Sequence, residues 1–84
     1  MFYVYVLKSE KDENLYIGST DDLRRRLAEH NAGKAKSTAP RRPFTLRYYE
    51  AYYREADARR RESMLKKDGR ALAMLKTRLA ASLQ

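Results

Sequence analysis

The sequence predicts an α/β domain in which a small three-stranded, largely antiparallel sheet is flanked by helices, in the order β-β-α-β-α-α. Two short aromatic and β-branched segments lie near the amino terminus, and a third follows the two prolines. Charged segments with helically spaced leucines fill the remaining positions. At 84 residues, the chain has room for one domain, residues 1–84, which buries roughly 60 to 65% of its unfolded surface.

The first two strands are predicted to form a hairpin. Residues 2–7 and 14–18 have the composition of strands, and the polar segment 8–13 forms the turn between them. If the register opposes Tyr5 to residue 16 or 18, Tyr16 lies on the same face of the sheet as Tyr5.

The remaining elements follow from caps, prolines and periodicity. Thr20 or Asp21 is expected to cap a helix that begins at Asp22, runs to about Asn31 and ends near Gly33. A basic loop containing both prolines follows. The later elements are a strand from Phe44 to Glu50, a charged helix near Glu55 to Lys67 and an Ala/Leu-rich helix near Arg70 to Ser82, with Gly69 between the two helices.

The charge balance favours a polyanionic partner. Lys and Arg number 19 against 11 Asp and Glu, a net charge of +8, and neutralising phosphates with such cations releases counterions. The alternative is a domain that is merely basic. Cysteine is absent, which excludes a disulfide framework and a thiolate metal site. The apolar amino terminus stops at Leu7, too short for a signal peptide or a membrane span, so a cytoplasmic protein is expected.

Two polar residues of the first helix fall on its inward face. At about 100° per residue from Leu23, His30 lies near −20° and Arg26 near −60°, beside the stripe that Leu23 and Leu27 form. An unpaired charge there is costly. Arg26 and His30 therefore need partners or a wet cleft.

Glu62 lies on the apolar stripe of the next helix, about 40° from Ala58. An inward carboxylate is either a structural salt bridge, for which Arg26 is a candidate, or a ligand for a hard divalent cation. Taken alone, the position favours the salt bridge. However, a set of residues from four elements can converge on one sheet–helix junction: Tyr5, Tyr16, Arg26, His30 and Glu62.

These residues carry a resemblance to a known family. Tyr3-Val4-Tyr5 and Tyr16-Ile17-Gly18, the helix DLRRRLAEHN, the segment RRPFTLRYYE and the later RESMLK resemble, in order, the GIY-YIG nuclease superfamily. The resemblance spans nearly the whole chain, as in short stand-alone bacterial members, and it implies the GIY-YIG fold.

The resemblance also implies roles. Tyr5 and Tyr16 would line the active site, and one of them would help to deprotonate the attacking water. Arg26 would contact the scissile phosphate, and Glu62 would bind a single Mg²⁺ or Mn²⁺. His30 matches a histidine of homing-endonuclease members.

Three features depart from the family pattern. Tyr3 stands where the first motif has glycine, residues 36–38 contain no second histidine, and no asparagine follows Asn31.

The sequence thus predicts a divalent-metal-dependent nuclease that hydrolyses phosphodiester bonds in DNA, or alternatively RNA, in DNA repair or processing with little sequence specificity. No small-molecule cofactor and no membrane partner are expected. A non-catalytic nucleic-acid-binding or adaptor module with the same fold is the alternative. The residues expected to hold nucleic acid are Arg24, Arg25, Lys34, Lys36, Arg41 and Arg42.

Overall fold

The structure, a computed structural model, describes residues 1–84. Its elements are β1 (Phe2–Ser9), β2 (Leu15–Thr20), α1 (Leu23–Asn31), a 3-10 turn (Ala39–Arg41), β3 (Phe44–Tyr52), α2 (Glu55–Lys67) and α3 (Gly69–Arg78). The strand order is β2-β1-β3, and both pairings are antiparallel. The predicted fold class is confirmed, and the sheet is wholly rather than largely antiparallel.

The hairpin register places two tyrosines together. Tyr5 lies opposite Gly18, and Leu7 lies opposite Tyr16, so Tyr5 and Tyr16 share one face of the sheet as expected. Leu23 and Leu27 of α1 pack on this face. Helices α2 and α3 cover the opposite face, which holds the main core of seven buried side chains: Val4, Val6, Ile17, Ala58, Leu65, Leu75 and Leu79.

The strands run further than the sequence predicts. β1 continues through Lys8 to Ser9 because Ser9 pairs with Phe44 of β3. Ser9 is fully buried, and its hydroxyl accepts hydrogen bonds from the backbone amides of Lys11 and Asp12, both at 3.1 Å. Tertiary pairing therefore overrides the polar composition on which the shorter prediction rested. None of the three helices combines the length and apolar character that crossing a membrane requires.

Three helix boundaries differ from the prediction. The cap of α1 is Asp22, whose carboxylate accepts from the Arg25 amide at 3.0 Å, whereas Thr20 shapes the preceding turn. Asp68 caps α3 in the same way, so Gly69 is the first helical residue rather than a separator. α3 ends at Arg78, short of the predicted Ser82.

Candidate active site

A hydrogen-bonded chain of three side chains lies under α1. His30 is fully buried; its Nε2 lies 2.9 Å from Tyr5 Oη, and its Nδ1 lies 2.8 Å from Thr38 Oγ1. Thr38 Oγ1 donates its single hydrogen to the Ala35 carbonyl at 3.3 Å, so it accepts from Nδ1–H of His30. Nε2 is then an acceptor, and the Tyr5 hydroxyl donates to it.

Burial keeps both members of the tyrosine–histidine pair neutral. It lowers the pKa of His30, and the positive charge of Arg26 lowers it further. Burial also raises the pKa of Tyr5, against the opposing effect of a hydrogen bond with Arg26. At neutral pH, the site therefore contains a phenol whose hydrogen faces an imidazole able to receive it.

Close aromatic packing fixes the position of the Tyr5 hydroxyl. The Tyr16 ring lies edge-on to His30, with centroids 5.0 Å apart, and lies 6.4 Å from the Tyr5 ring. A β-carbon on Gly18 would overlap the Tyr5 hydroxyl. Glycine at position 18 therefore allows Tyr5 to reach His30 across the hairpin.

Arg26 presents a partly exposed guanidinium beside Tyr5. Its side chain is 34% exposed, and Nη1 lies 3.0 Å from Glu29 Oε1 on the same helix. Pairs of this kind at partly exposed positions contribute little to stability. The guanidinium can therefore exchange Glu29 for a phosphate without a large loss.

Glu62 approaches the site from α2, along the edge strand β2. Its Oε1 accepts from Ser19 Oγ at 2.6 Å, and its Oε2 accepts from Lys66 Nζ at 2.7 Å. Burial alone would raise the pKa of Glu62, but these two donors hold it below its usual range. Lys66 Nζ also lies 5.7 Å from the centroid of the Tyr16 ring, which links this carboxylate to the tyrosine face.

The salt bridge considered between Glu62 and Arg26 is not formed. Each charge pairs instead with a neighbour one helical turn along its own helix, Lys66 and Glu29 respectively. The negative charge of Glu62 nevertheless contributes to the raised pKa of Tyr5, so the two groups are electrostatically coupled.

The oxygen donor that the site offers to a metal ion is a single carboxylate, that of Glu62. The structure contains no group of three or more His, Cys, Asp or Glu residues that could hold an ion. Glu62 is a single carboxylate, partly exposed, and its lysine partner is 44% exposed. Mg²⁺ is typically bound by one or two carboxylates, several waters and substrate phosphates. The site therefore fits a cation that arrives with substrate and does not fit a fully protein-coordinated ion.

The residues expected to bind nucleic acid divide into two groups. Arg25 pairs with Asp21 at 2.7 Å, and Arg41 pairs with Asp12 at 2.7 Å while donating to the Leu15 carbonyl at 3.3 Å. The other four make no ion pair and no side-chain hydrogen bond: Arg24, Lys34, Lys36 and Arg42. Only this second group has no protein partner to exchange for a phosphate.

The sequence did not predict four residues that hydrogen-bond or pair with the site residues: Ser19, Glu29, Thr38 and Lys66. Glu29 and Lys66 lie three and four positions after Arg26 and Glu62, so helical spacing was a usable signal. Thr38 lies in an irregular loop, and no local pattern indicates its contact with His30. Ser19 becomes identifiable only once α2 is placed against β2.

Fold and charge together define a small basic α/β domain. The family model described as GIY-YIG catalytic domain matches residues 1–76, and the chain belongs to the GIY-YIG family. It is 46% identical to a UPF0213 protein of Halobacterium salinarum over 72 residues, 84% of this chain and 92% of the relative. A UPF0213 protein of Staphylococcus haemolyticus is 48% identical over 65 residues, covering 76% and 78% of the two chains. No solved structure matches the chain.

Proposed function

We propose that this protein is a divalent-metal-dependent nuclease that hydrolyses phosphodiester bonds in DNA during repair or processing, with little sequence preference. One observation carries the proposal. A replaceable guanidinium, Arg26, and a replaceable carboxylate, Glu62, lie near a phenol whose hydrogen is already bonded to a buried imidazole. Each of these two charges is paired only with a partly exposed side chain on its own helix.

The hydrogen-bond chain provides a route for the proton of the attacking water. Tyr5 Oη donates to His30 and accepts from Arg26, which leaves it one lone pair to accept a hydrogen from water. As the water oxygen bonds to phosphorus, its proton passes to Tyr5, and the phenol proton passes to His30 Nε2. The lowered pKa of His30 favours return of that proton to Tyr5 Oη as Tyr5 releases its other proton to solvent, which balances the proton that solvent gives to the leaving oxygen.

The two charged groups stabilise the developing negative charge. Arg26 exchanges Glu29 for the non-bridging phosphate oxygens, to which its planar guanidinium can donate two hydrogen bonds. Glu62, with Ser19 holding one of its oxygens, is the residue that would hold Mg²⁺ or Mn²⁺. When bound there, the cation supplies Lewis-acid stabilisation of the phosphoryl and leaving oxygens.

A cleavage panel tests the proposal. Labelled single-stranded, nicked, branched and duplex DNA, with RNA counterparts, are incubated with Mg²⁺, Mn²⁺ or EDTA. Cleavage should require metal and fall at least about 100-fold in Glu62→Gln. Glu55→Gln is the matched control, because Glu55 also pairs with a cation four residues on in α2, 3.3 Å away, but lies outside the site. It should cleave within about twofold of wild type.

Two results would contradict the proposal. A folded Glu62→Gln that cuts as fast as wild type would remove the carboxylate from the mechanism. Salt-dependent binding without cleavage under any metal condition would favour the non-catalytic binding module.

A further inference from the structure

Two tyrosines that the proposed mechanism does not use extend the site along the sheet. Tyr3 is two residues before Tyr5 on β1 and therefore lies on the same face, and Tyr49 of β3 lies directly opposite Tyr5. The Tyr3 and Tyr49 rings meet edge to face, with centroids 5.8 Å apart and planes at 72°. Tyr49 is 52% exposed, so a large aromatic surface faces solvent beside the site.

An open groove of about 300 Å³ lies between these rings and the start of α1. Leu23 forms its wall on the active-site side, because the same leucine packs against the cluster that contains Tyr5. Tyr3 and Tyr5 are two residue steps apart along β1, about 6.6 Å. A single step of extended nucleic-acid backbone can therefore connect the groove to Tyr5.

The charges around the groove favour a base inside it and a phosphate outside it. Asp21, which pairs with Arg25, and Asp22 line the groove, and their carboxylates repel a phosphate but can accept hydrogen bonds from base amino groups. Arg24 also lines the groove, makes no ion pair and is exposed. It is free to hold a flanking phosphate.

We propose that Tyr3 and Tyr49 form a stacking site for an unpaired nucleobase next to the scissile phosphate. The preferred substrate class is then DNA with a single-stranded segment at the cleavage position. In a continuous duplex, each base is covered by its neighbours, and exposing one requires it to be unstacked and unpaired. This inference rests on the proposed function for the position of the scissile phosphate, but the stacking itself can be tested without cleavage.

A merely structural role for the pair makes a different prediction. Cross-strand aromatic pairs stabilise a sheet modestly, so removal of the Tyr49 ring would then affect folding and leave DNA selectivity unchanged. The chain provides a matched control in Tyr53, a tyrosine that is 77% exposed beyond the end of β3, where Arg54 lies 5.0 Å from its ring. Tyr53 lines no part of the groove.

Fluorescence anisotropy in EDTA, with a labelled single strand and a blunt duplex of equal length, measures binding separately from catalysis. Tyr49→Ala should weaken single-strand binding about 5- to 100-fold and duplex binding less than about twofold, because only an unpaired base can stack on the aromatic ring. Tyr49→Phe should retain wild-type selectivity, and Tyr53→Ala should bind both ligands normally. Thermal melts confirm that each variant is folded.

Equal weakening on both ligands, no change in Tyr49→Ala, or the same effect in Tyr53→Ala would overturn the stacking site. Failure of the nuclease proposal is a separate outcome, since it appears as absent cleavage while the single-strand selectivity of Tyr49→Ala relative to wild type still changes as predicted. If cleavage is present and Tyr49→Ala cuts single-stranded and duplex substrates in the wild-type ratio, the stacking site alone is wrong.

Discussion

Two clusters of tyrosine, arginine and glutamate lie on different sides of the sheet. In only one of them do the charged groups pair with each other. On the α2 face, Glu50 accepts two hydrogen bonds from Arg61, at 2.9 and 3.1 Å, and one each from the hydroxyls of Tyr48 and Tyr52. In this group, called the closed cluster, both carboxylate oxygens accept hydrogen bonds from other members of the cluster. In the open cluster, on the α1 face and the β2 edge, Arg26 and Glu62 hold separate partners on their own helices.

The difference separates charges whose partners are fixed from charges whose partners can be replaced. The closed cluster adds a fixed guanidinium and two phenols to one carboxylate, and burial together with the Glu50 hydrogen bond raises the pKa of Tyr52 to about 12. Its groups satisfy each other and have no capacity left for a ligand. In the open cluster, Glu29 and Lys66 are partly exposed side chains that a phosphate or a cation can replace.

The largest expected effect is on stability. Glu50→Gln should lower the free energy of unfolding by about 2 to 3 kcal/mol, because it leaves Arg61 partly buried without its charge partner. Glu62→Gln should lower it by less than about 1 kcal/mol, since Lys66 is free to turn to water. Urea denaturation of both variants measures the contrast. Equal decreases would abolish the distinction between the closed and open clusters.

Much of this arrangement was predictable from the sequence. Strand alternation and hairpin register placed Tyr5 with Tyr16, and helical periodicity turned Arg26 and His30 inward. The partners were not predictable, because they depend on tertiary contacts between distant segments: Thr38 in a loop for His30, and Ser19 across the sheet edge for Glu62. The closed cluster was also missed, since Glu50 and Arg61 are brought together only when α2 packs on β3.

The next comparison is between committed and uncommitted cations. Lys34→Ala with Lys36→Ala should reduce the slope of log affinity against log salt on duplex DNA by up to about 0.9 for each phosphate that the variant no longer neutralises. Arg41→Ala should leave that slope unchanged and destabilise the fold instead. Arg41 holds Asp12, and its hydrogen bond lowers the pKa of that carboxyl to about 2.

Binding isotherms at several salt concentrations, with thermal melts, measure both effects. The Lys34 and Lys36 side chains make no ion pair and are at least partly exposed, so the double variant should melt as wild type does. A slope that falls as much in Arg41→Ala as in the double lysine variant would place Arg41 on the DNA despite its ion pair.

The smallest expected effect is the pH dependence of stability, which tests whether the open cluster is buried as neutral groups. Because the pKa of His30 is lowered in the folded state, the unfolded chain binds the extra proton first. The contribution of His30 to the free energy of unfolding should therefore be complete above about pH 6.5. Below that value it should fall with a slope of at most about 1.4 kcal/mol per pH unit, the value for one proton. The lowered pKa values of Asp12, Glu50 and Glu62 act in the same direction but only below about pH 4.5.

Histidine is the only residue type whose ordinary side-chain pKa lies between about pH 5 and 7, and His30 is the only histidine of this chain. His30→Gln should therefore flatten the dependence of melting temperature on pH in that range. Cleavage by wild type should fall at a lower pH than stability begins to fall, because activity follows the folded pKa and stability follows the unfolded one. Coincident acid limbs, or a pH dependence that persists in folded His30→Gln, would mean that the imidazole is not held neutral beside Tyr5.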